Sequence, residues 1–132
     1  MSELQAAMGL SVLPFMDTIF TERIKVVDFY DKNLDFKKVR KMQIREGTEW
    51  NHSYYPAIFE SEAQLLKAEK ALNNQNIYPR RYFYPSLNTI EYTNGKSMPI
   101  SESIASRILC LPLFFDLTTD ESKLIINLIN NG

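Results

Sequence analysis

Residues 77–85 (IYPRRYFYP) carry the side chains of this sequence that are best suited to hold a ligand. Two arginines, four aromatic residues and two prolines share these nine positions, and such a mixture cannot all be buried in a core. A guanidinium binds a carboxylate or a pyrophosphate through two parallel hydrogen bonds, and a phenol offers both a flat face and a hydroxyl. We therefore predict that Arg80 and Tyr84, together with Tyr82, bind a substrate. The alternative is that Arg80 pairs with a local carboxylate while Tyr84 packs within the domain.

The rest of the sequence lacks the motifs that commonly build a catalytic or metal site. It has no glycine-rich phosphate loop, no HExxH pair and no cysteine other than Cys110. Cys110 lies in the apolar run ILCL, where a cysteine usually serves as a small buried hydrophobe. His52 is the only histidine, and its neighbours do not resemble the surroundings of a hydrolase nucleophile. We expect no catalytic residue, no cofactor-binding residue and no metal ligand in this chain.

Charge and hydropathy argue against two classes of partner. Lysine and arginine total 15, aspartate and glutamate total 16, and the net charge of −1 attracts neither nucleic acid nor an anionic membrane. The basic run at residues 37–45 alternates like a half-exposed strand, so we interpret it as a solvated surface. The sequence shows no run of roughly 20 apolar residues and no secretion signal. We expect a cytoplasmic protein that binds neither nucleic acid nor membrane.

A helical hairpin or one kinked helix is predicted for the first 34 residues. Ser2 and Gln5 form a capping-box pattern, apolar residues recur at helical spacing as far as Val12, and Pro14 breaks or kinks the helix before a second periodic run to Leu34. Helices this apolar at the start of a chain suggest that further sequence lies upstream and covers them. We interpret the chain as a single domain, residues 1–132, that normally belongs to a longer protein.

The remaining sequence alternates strands with helices. Strands are predicted at residues 39–45, 54–59 and 109–113. A proline restricts the second of these to an edge of the sheet or to a point of irregular pairing, and we expect the edge. Helices are predicted to begin after residues of N-cap type, namely Ser61, Ser101 and Thr118. These elements indicate an α+β fold or α/β-like layers.

Several blocks of this sequence resemble the DegT/DnrJ/EryC1/StrS aminotransferases in that family's usual order and spacing. The blocks are residues 1–10 (MSELQAAMGL), 54–56 (YYP), 77–85 (IYPRRYFYP) and 104–113 (IASRILCLPL). The first resembles the helix that follows the family's Gly-x-Asn-x-Arg loop, and Arg23 lies where the next helix usually carries an arginine. Residues 80–85 are most similar to members that act on nucleotide-linked keto-deoxysugars. Many members have a histidine shortly after the position of Pro85, where this sequence has Ser86 and Leu87, so the particular sugar stays open.

The resemblance implies the small C-terminal domain of a fold-type-I aminotransferase that depends on pyridoxal phosphate. Such a domain has a long N-terminal helix or helix pair packed on a small, mainly antiparallel sheet with further helices. None of Lys25, Lys32 and Lys37 has the context of the family's cofactor lysine, which the resemblance places upstream of Met1 together with the large domain. We therefore expect that this chain alone binds no pyridoxal phosphate and catalyses nothing.

The resemblance also implies the partners of the parent protein. These are the large cofactor-binding domain, a second subunit in a homodimer, a sugar-nucleotide substrate and an amino donor such as glutamate, in the biosynthesis of cell-surface polysaccharides or secondary metabolites. A second hypothesis is a stand-alone, non-catalytic α/β binding or interaction module derived from the family. A cofactor lysine encoded upstream of Met1 would favour the first hypothesis, and a genuine start at Met1 the second.

Overall fold

The computed structural model describes residues 2–131, which form an α+β fold of five α-helices and a three-stranded sheet. In chain order these elements are α1 (Glu3–Val12), α2 (Met16–Asn33), β1 (Val39–Lys41), β2 (Tyr55–Phe59), α3 (Glu62–Asn73), α4 (Pro99–Arg107), β3 (Ile108–Leu111) and α5 (Thr119–Asn131). Short 3₁₀ turns join α1 to α2 and interrupt the connection between α3 and α4. The predicted fold class is confirmed.

The start of the chain is helical as the sequence predicts, and α1 and α2 follow each other as one stretch with a 3₁₀ turn between them. The Gln5 backbone N–H donates to the Ser2 hydroxyl at 3.3 Å, and the Ser2 N–H donates to the Gln5 side chain at 2.8 Å. This capping box satisfies two of the N–H groups that a helix start leaves without a partner. Pro14 lies in the 3₁₀ turn between the helices, where its fixed φ and its missing N–H are tolerated.

The sheet is antiparallel in the order β1-β2-β3, so β2 is the central strand and the predicted edge position is wrong. Pro56 of β2 lies opposite Cys110 of β3, and both backbone polar groups of Cys110 bond to Arg80 on the far side. The two residues are therefore a non-hydrogen-bonded pair. On the other side, β1 ends opposite Ala57. The missing N–H of Pro56 thus interrupts no bond of the ladder.

Two further boundaries differ from the prediction. β1 ends at Lys41 instead of residue 45, and the chain is irregular from there to the turn at residues 46–47. α4 begins at Pro99, so Ser101 lies in its first turn and is not its cap. Proline is preorganised for the first helical position, and the Glu102 carboxylate accepts the Met98 N–H at 2.7 Å. The predicted Ser61 and Thr118 caps are confirmed by side-chain hydrogen bonds to Gln64 and Glu121.

One hydrophobic core joins the sheet to α2, α3 and α5. Alternate residues of β2 face this core, and they are Tyr55, Ala57 and Phe59. The rings of Tyr30 and Tyr55 lie 4.9 Å apart, and the Tyr30 hydroxyl donates to the Pro112 carbonyl at 2.9 Å. The core therefore fixes both the central strand and the residues that follow β3.

α1 and the turn after it leave apolar side chains in solvent, with exposures of 62–71 % for Leu4, Met8, Leu10, Leu13 and Phe15. The helical stretch Glu3–Asn33, 31 residues long, meets the length and composition of a membrane span, and none of its most apolar window is buried. This corrects the expectation that no segment would do so, because scattered polar residues conceal the stretch from a search for consecutive apolar positions. A helix that packs against another protein surface can have the same length and composition.

Candidate functional site

Backbone hydrogen bonds fasten the arginine- and aromatic-rich segment to the sheet. The Arg80 N–H donates to the Cys110 carbonyl at 3.2 Å, and the Cys110 N–H donates back to the Arg80 carbonyl at 2.8 Å. Upstream, the Ile77 N–H donates to the Leu72 carbonyl at 3.1 Å, which ties the segment to the end of α3. Successive side chains of an extended backbone point in opposite directions. Arg80 and Arg81 accordingly contact different partners.

Arg80 and two tyrosines form an exposed cluster. The Arg80 Nη1 lies 3.5 Å from the Tyr82 hydroxyl, which also accepts a hydrogen bond from the Tyr54 hydroxyl at 3.3 Å. The rings of Tyr54 and Tyr82 are 5.0 Å apart, and Phe83 meets Tyr82 edge-on at 4.9 Å. Within residues 2–131, Arg80 forms no ion pair. Its charge is therefore available to an anionic ligand, contrary to the local-carboxylate alternative.

The same contacts shift the pKa values of Tyr54 and Tyr82 in opposite directions. The hydrogen bond from Tyr54, followed by that from Arg80, lowers the pKa of Tyr82 from its ordinary value. The pKa of Tyr54 is raised, chiefly because its hydroxyl donates to Tyr82. Tyr82 is thus the member of the pair that gives up its proton more readily and accepts hydrogen bonds from the other two groups.

Arg81 is held within the domain. Its Nη2 donates to the Glu62 Oε1 and to the Ser106 carbonyl, each at 2.8 Å, and its guanidinium carbon lies 3.7 Å above the centre of the Tyr84 ring. The hydrogen bond from Arg81, with a further one from Tyr84, lowers the pKa of the Glu62 carboxyl. Arg81 therefore joins the segment to α3 and α4. Tyr84 packs on it, as the alternative interpretation of Tyr84 predicts.

All three predicted substrate-binding residues line one open cavity of about 430 Å³, formed by residues 80–85 with Leu87 and Ile90. We call this space the loop cavity. Arg80 and Tyr84 are exposed, and Tyr82 is half-buried. The peptide bonds Tyr82–Phe83 and Tyr84–Pro85 are cis. The structure brings the three side chains to one surface, and their contact with a substrate stays a prediction.

Asn88 organises the connection beyond the segment. Its Nδ2 donates to the Glu102 Oε1 at 2.7 Å and to the Lys96 carbonyl at 3.0 Å, while its Oδ1 accepts from the Ser86 hydroxyl at 2.6 Å. A Cβ at Gly95 would lie 2.6 Å from the Asn88 carbonyl oxygen, so this position requires glycine. These contacts hold the connection between the loop cavity and α4.

Three residues of the site escaped prediction from the sequence, namely Tyr54, Glu62 and Arg81. The sequence predicts that Tyr54 lies in a strand. In the structure β2 begins one residue later, and the Tyr54 hydroxyl bonds to Tyr82. Glu62 and Arg81 are separated by 19 positions and meet only because α3 turns the chain back. The position of Tyr54 in the aromatic block at residues 54–56 could have indicated its role. No short-range pattern in the sequence indicates the ion pair between Glu62 and Arg81.

Solved structures show that this fold is one part of larger aminotransferases. DesI, determined in the presence of its TDP-sugar product, matches with a TM-score of 0.86 at 24% identity, over 99% of this chain and 35% of its own. Spr1654 from Streptococcus pneumoniae, in its PLP form, matches with a TM-score of 0.79 at 21% identity, again over 99% and 35%. At these identities the match establishes the fold, which is a partial domain of the aminotransferase architecture.

The model of the DegT/DnrJ/EryC1/StrS aminotransferase family matches residues 1–130, and the chain belongs to that family. The dTDP-4-amino-4,6-dideoxy-D-glucose transaminase of Shigella dysenteriae is 37% identical over an alignment of 136 positions, which covers 98% of this chain and 37% of that enzyme. The chain thus spans about a third of the length of the curated relatives that it matches. These findings confirm the resemblance.

The described residues do not fit a pyridoxal phosphate site. Schiff-base chemistry requires a lysine that faces the cofactor. The three cavities described for this chain include no lysine and no aspartate in their linings. Lys25 pairs with Glu22 at 2.6 Å on the surface of α2, and Lys41 pairs with Asp31. The linings of these three cavities therefore offer no lysine for a Schiff base with the cofactor.

Proposed function

We propose that this chain is the small-domain part of a longer, pyridoxal-phosphate-dependent aminotransferase that transfers an amino group, from a donor such as glutamate, to a nucleotide-linked keto-deoxysugar. The observation that carries this proposal is the match across 98% of the chain to a transaminase named for an amino-dideoxy sugar nucleotide. The loop cavity supports it, because it combines exposed aromatic faces with Arg80, a cation that forms no ion pair within residues 2–131.

In this proposal the chain binds and orients the substrate. Arg80 meets the diphosphate, because a guanidinium without an ion pair matches phosphate oxygens through two donors. Tyr82 and Tyr84 form the wall beside the sugar, and Tyr82 presents its hydroxyl to it. Pyridoxal phosphate, when bound, carries the amino group between donor and acceptor, and we assign its binding to residues outside this chain. The chain alone is then inactive.

The exposed face of α1 has a place in the same proposal. Apolar side chains at α1 and its following turn remain in solvent, and a stable monomer seldom leaves so many large ones exposed together. We assign this face to contact with the remaining two thirds of the longer protein, which forms a homodimer in the cytoplasm. The helical stretch then needs no membrane to account for its composition.

A chimera tests the proposed function. In the Shigella dysenteriae transaminase, the third that matches this chain is replaced by residues 1–132. Amino transfer from glutamate to dTDP-4-keto-6-deoxy-D-glucose is then followed by mass spectrometry. We expect activity in the chimera and none in the isolated chain supplied with pyridoxal phosphate. A folded, cofactor-loaded chimera that is inactive with this and with other nucleotide-linked keto-deoxysugars contradicts the proposal, and so does activity of the isolated chain.

Two variants test the assigned residues within the chimera. Arg80→Met removes the charge and keeps the aliphatic stem, and we expect kcat/KM for the sugar nucleotide to fall about tenfold or more, the effect of one charged hydrogen bond. Arg45→Met is the matched control, because Arg45 is exposed and lines none of the three cavities. Equal kinetics for the two variants would remove Arg80 from the substrate site.

A further inference from the structure

Tyr54 lies beside the loop cavity without bordering it. Tyr82 is part of the lining of that cavity and Tyr54 is not, although the two hydroxyl oxygens are 3.3 Å apart. The two rings lie 5.0 Å apart with an angle of 51° between their planes, so the residues pack on each other as well as sharing a hydrogen bond. Tyr54 can therefore influence a ligand in the loop cavity through Tyr82.

The hydrophobic core fixes the position of Tyr54. The next residue, Tyr55, is 2 % exposed, its ring meets that of Tyr30 at 4.9 Å, and its hydroxyl donates to the Asp31 carboxylate at 2.7 Å. Because side chains alternate between the two faces at a strand, the burial of Tyr55 directs the preceding Tyr54 outward. Tyr54 is accordingly 47 % exposed on a well-anchored backbone.

Tyr82 is held by its own segment. Phe83 meets its ring edge-on at 4.9 Å. The backbone of Arg80 bonds to β3, and the guanidinium of Arg81 bonds to groups of α3 and α4. The Tyr54 and Tyr82 hydroxyls thus both belong to fixed parts of the fold, which is the condition for one side chain to orient another.

The Tyr82 oxygen accepts two hydrogen bonds. A guanidinium has donors and no acceptor, so the contact of 3.5 Å between the Arg80 Nη1 and the Tyr82 oxygen runs from Arg80 to Tyr82. The Tyr54 hydroxyl is the second donor. The pKa shifts agree with this direction, because accepted bonds stabilise the tyrosinate of Tyr82 and a donated bond stabilises the protonated form of Tyr54.

These two bonds restrict what the Tyr82 hydroxyl can offer a ligand. A hydroxyl has two lone pairs and one proton, and both lone pairs of Tyr82 are engaged. Its proton has no acceptor among the side chains of residues 2–131. A bond accepted from a cation also strengthens a hydroxyl as a donor. The group that completes the hydrogen bonds of Tyr82 is therefore an acceptor, such as a sugar or phosphate oxygen.

We propose that Tyr54 is a positioning residue, which donates to Tyr82 and so commits the Tyr82 hydroxyl to donate to an oxygen of the sugar nucleotide in the loop cavity. Tyr54 itself does not touch that oxygen. Without the Tyr54 hydroxyl, one lone pair of Tyr82 is vacant, and the Tyr82 hydroxyl can turn its proton away from the ligand. This inference rests on the proposed function, since it requires a sugar nucleotide beside Tyr82.

Tyr54→Phe tests the hydrogen bond, because it removes one hydroxyl and keeps the ring. The chain is labelled with ¹³C at the tyrosine Cζ atoms, the Tyr82 signal is identified by its loss in Tyr82→Phe, and the pKa of Tyr82 is read as pH rises. We expect a higher pKa of Tyr82 in Tyr54→Phe than in the wild type, because the tyrosinate has lost a donor. An unchanged or lower pKa overturns the inference.

Tyr92→Phe is the matched control for this titration. Tyr92 is 82 % exposed and lines none of the three cavities. Its variant should leave the pKa of Tyr82 unchanged. Thermal unfolding of Tyr54→Phe should resemble that of Tyr92→Phe, since each variant loses one exposed hydroxyl.

Kinetics in the chimera test the positioning role. We expect kcat/KM for the sugar nucleotide to fall about tenfold in Tyr82→Phe and about three- to tenfold in Tyr54→Phe, as for the loss of one hydrogen bond. In the Tyr82→Phe background, Tyr54→Phe should change kcat/KM less than about twofold, because a residue that acts through Tyr82 then has no hydroxyl to orient. An equal loss in both backgrounds shows that Tyr54 acts independently of Tyr82 and overturns the inference.

The inference and the proposed function fail by different results. A folded, cofactor-loaded chimera that is inactive contradicts the proposed function, and the titration still decides whether Tyr54 donates to Tyr82. An active chimera in which Tyr54→Phe has the same kinetics as Tyr92→Phe refutes only the positioning role of Tyr54.

Discussion

Arg81→Met should destabilise the domain by an amount that can be worked out from its contacts. The side chain of Arg81 is 16 % exposed, and its charged donor meets the Ser106 carbonyl at 2.8 Å. Loss of that bond costs about 1.5 kcal/mol, and loss of the contact with the Tyr84 ring costs about 0.5–1 kcal/mol. The sum is about 2 kcal/mol, which lowers Tm by about 7 °C for a chain of this length.

The pairing with Glu62 adds a dependence on pH whose sign is fixed. The pKa of Glu62 is lowered in the folded state, so the pairing stabilises above the ordinary pKa of 4.5 and is lost as pH falls through the folded value. The Tm difference between wild type and Arg81→Met should therefore be larger at pH 7 than at pH 3.5.

Thermal unfolding followed by circular dichroism at both pH values is the assay, with Arg45→Met as the exposed control. A Tm within 2 °C of wild type at pH 7 would refute the structural role of Arg81. A difference that grows as pH falls would refute the role of Glu62 in it.

The core and the first helix support three more predictions. Tyr30→Phe deprives the Pro112 carbonyl of its donor, so urea unfolding should lose about 1–2 kcal/mol, and an unchanged midpoint would argue against that bond. Leu65→Ala empties a fully buried site and should cost about 2–5 kcal/mol, whereas Leu66→Ala on the exposed side should cost under about 1 kcal/mol. The exposed face of α1 should make the isolated chain self-associate, and Met8→Glu should reduce this; a strictly monomeric wild type in light scattering counts against it.

Local signals in the sequence predicted the helices well because their causes are local. The Ser2–Gln5 and Thr118–Glu121 caps each lie within four residues, and apolar spacing marks the buried face of each long helix. The predicted edge position of β2 was wrong because the effect of the missing Pro56 N–H depends on the register with β3 and on where β1 ends, and both strands are distant in sequence. No short-range pattern carries that information.

The candidate site was predicted in part for the same reason. The composition of residues 77–85 identifies a segment that cannot all be core, and the structure places its predicted residues on one cavity. Composition does not tell which of the two adjacent arginines forms an ion pair within the domain and which does not. That distinction depends on Glu62 and on the Ser106 carbonyl, which the fold brings to Arg81 from two separate helices.

Arg80 and Arg81 therefore divide two tasks that the sequence presents as one. The Arg81 guanidinium bonds to Glu62 and to the Ser106 carbonyl and so fixes residues 77–85 to the domain. The Arg80 backbone bonds to the sheet, whereas its guanidinium is exposed to solvent. If this division is correct, Arg80→Met should leave Tm within about 1 °C of wild type while weakening anion binding, since an exposed side chain with one long hydrogen bond contributes little to stability. Arg81→Met should lower Tm and weaken binding only through disorder of the segment, seen as loss of the amide signals of residues 80–85. Equal stability losses in the two variants would show that both arginines are structural, and the substrate site would then lie elsewhere.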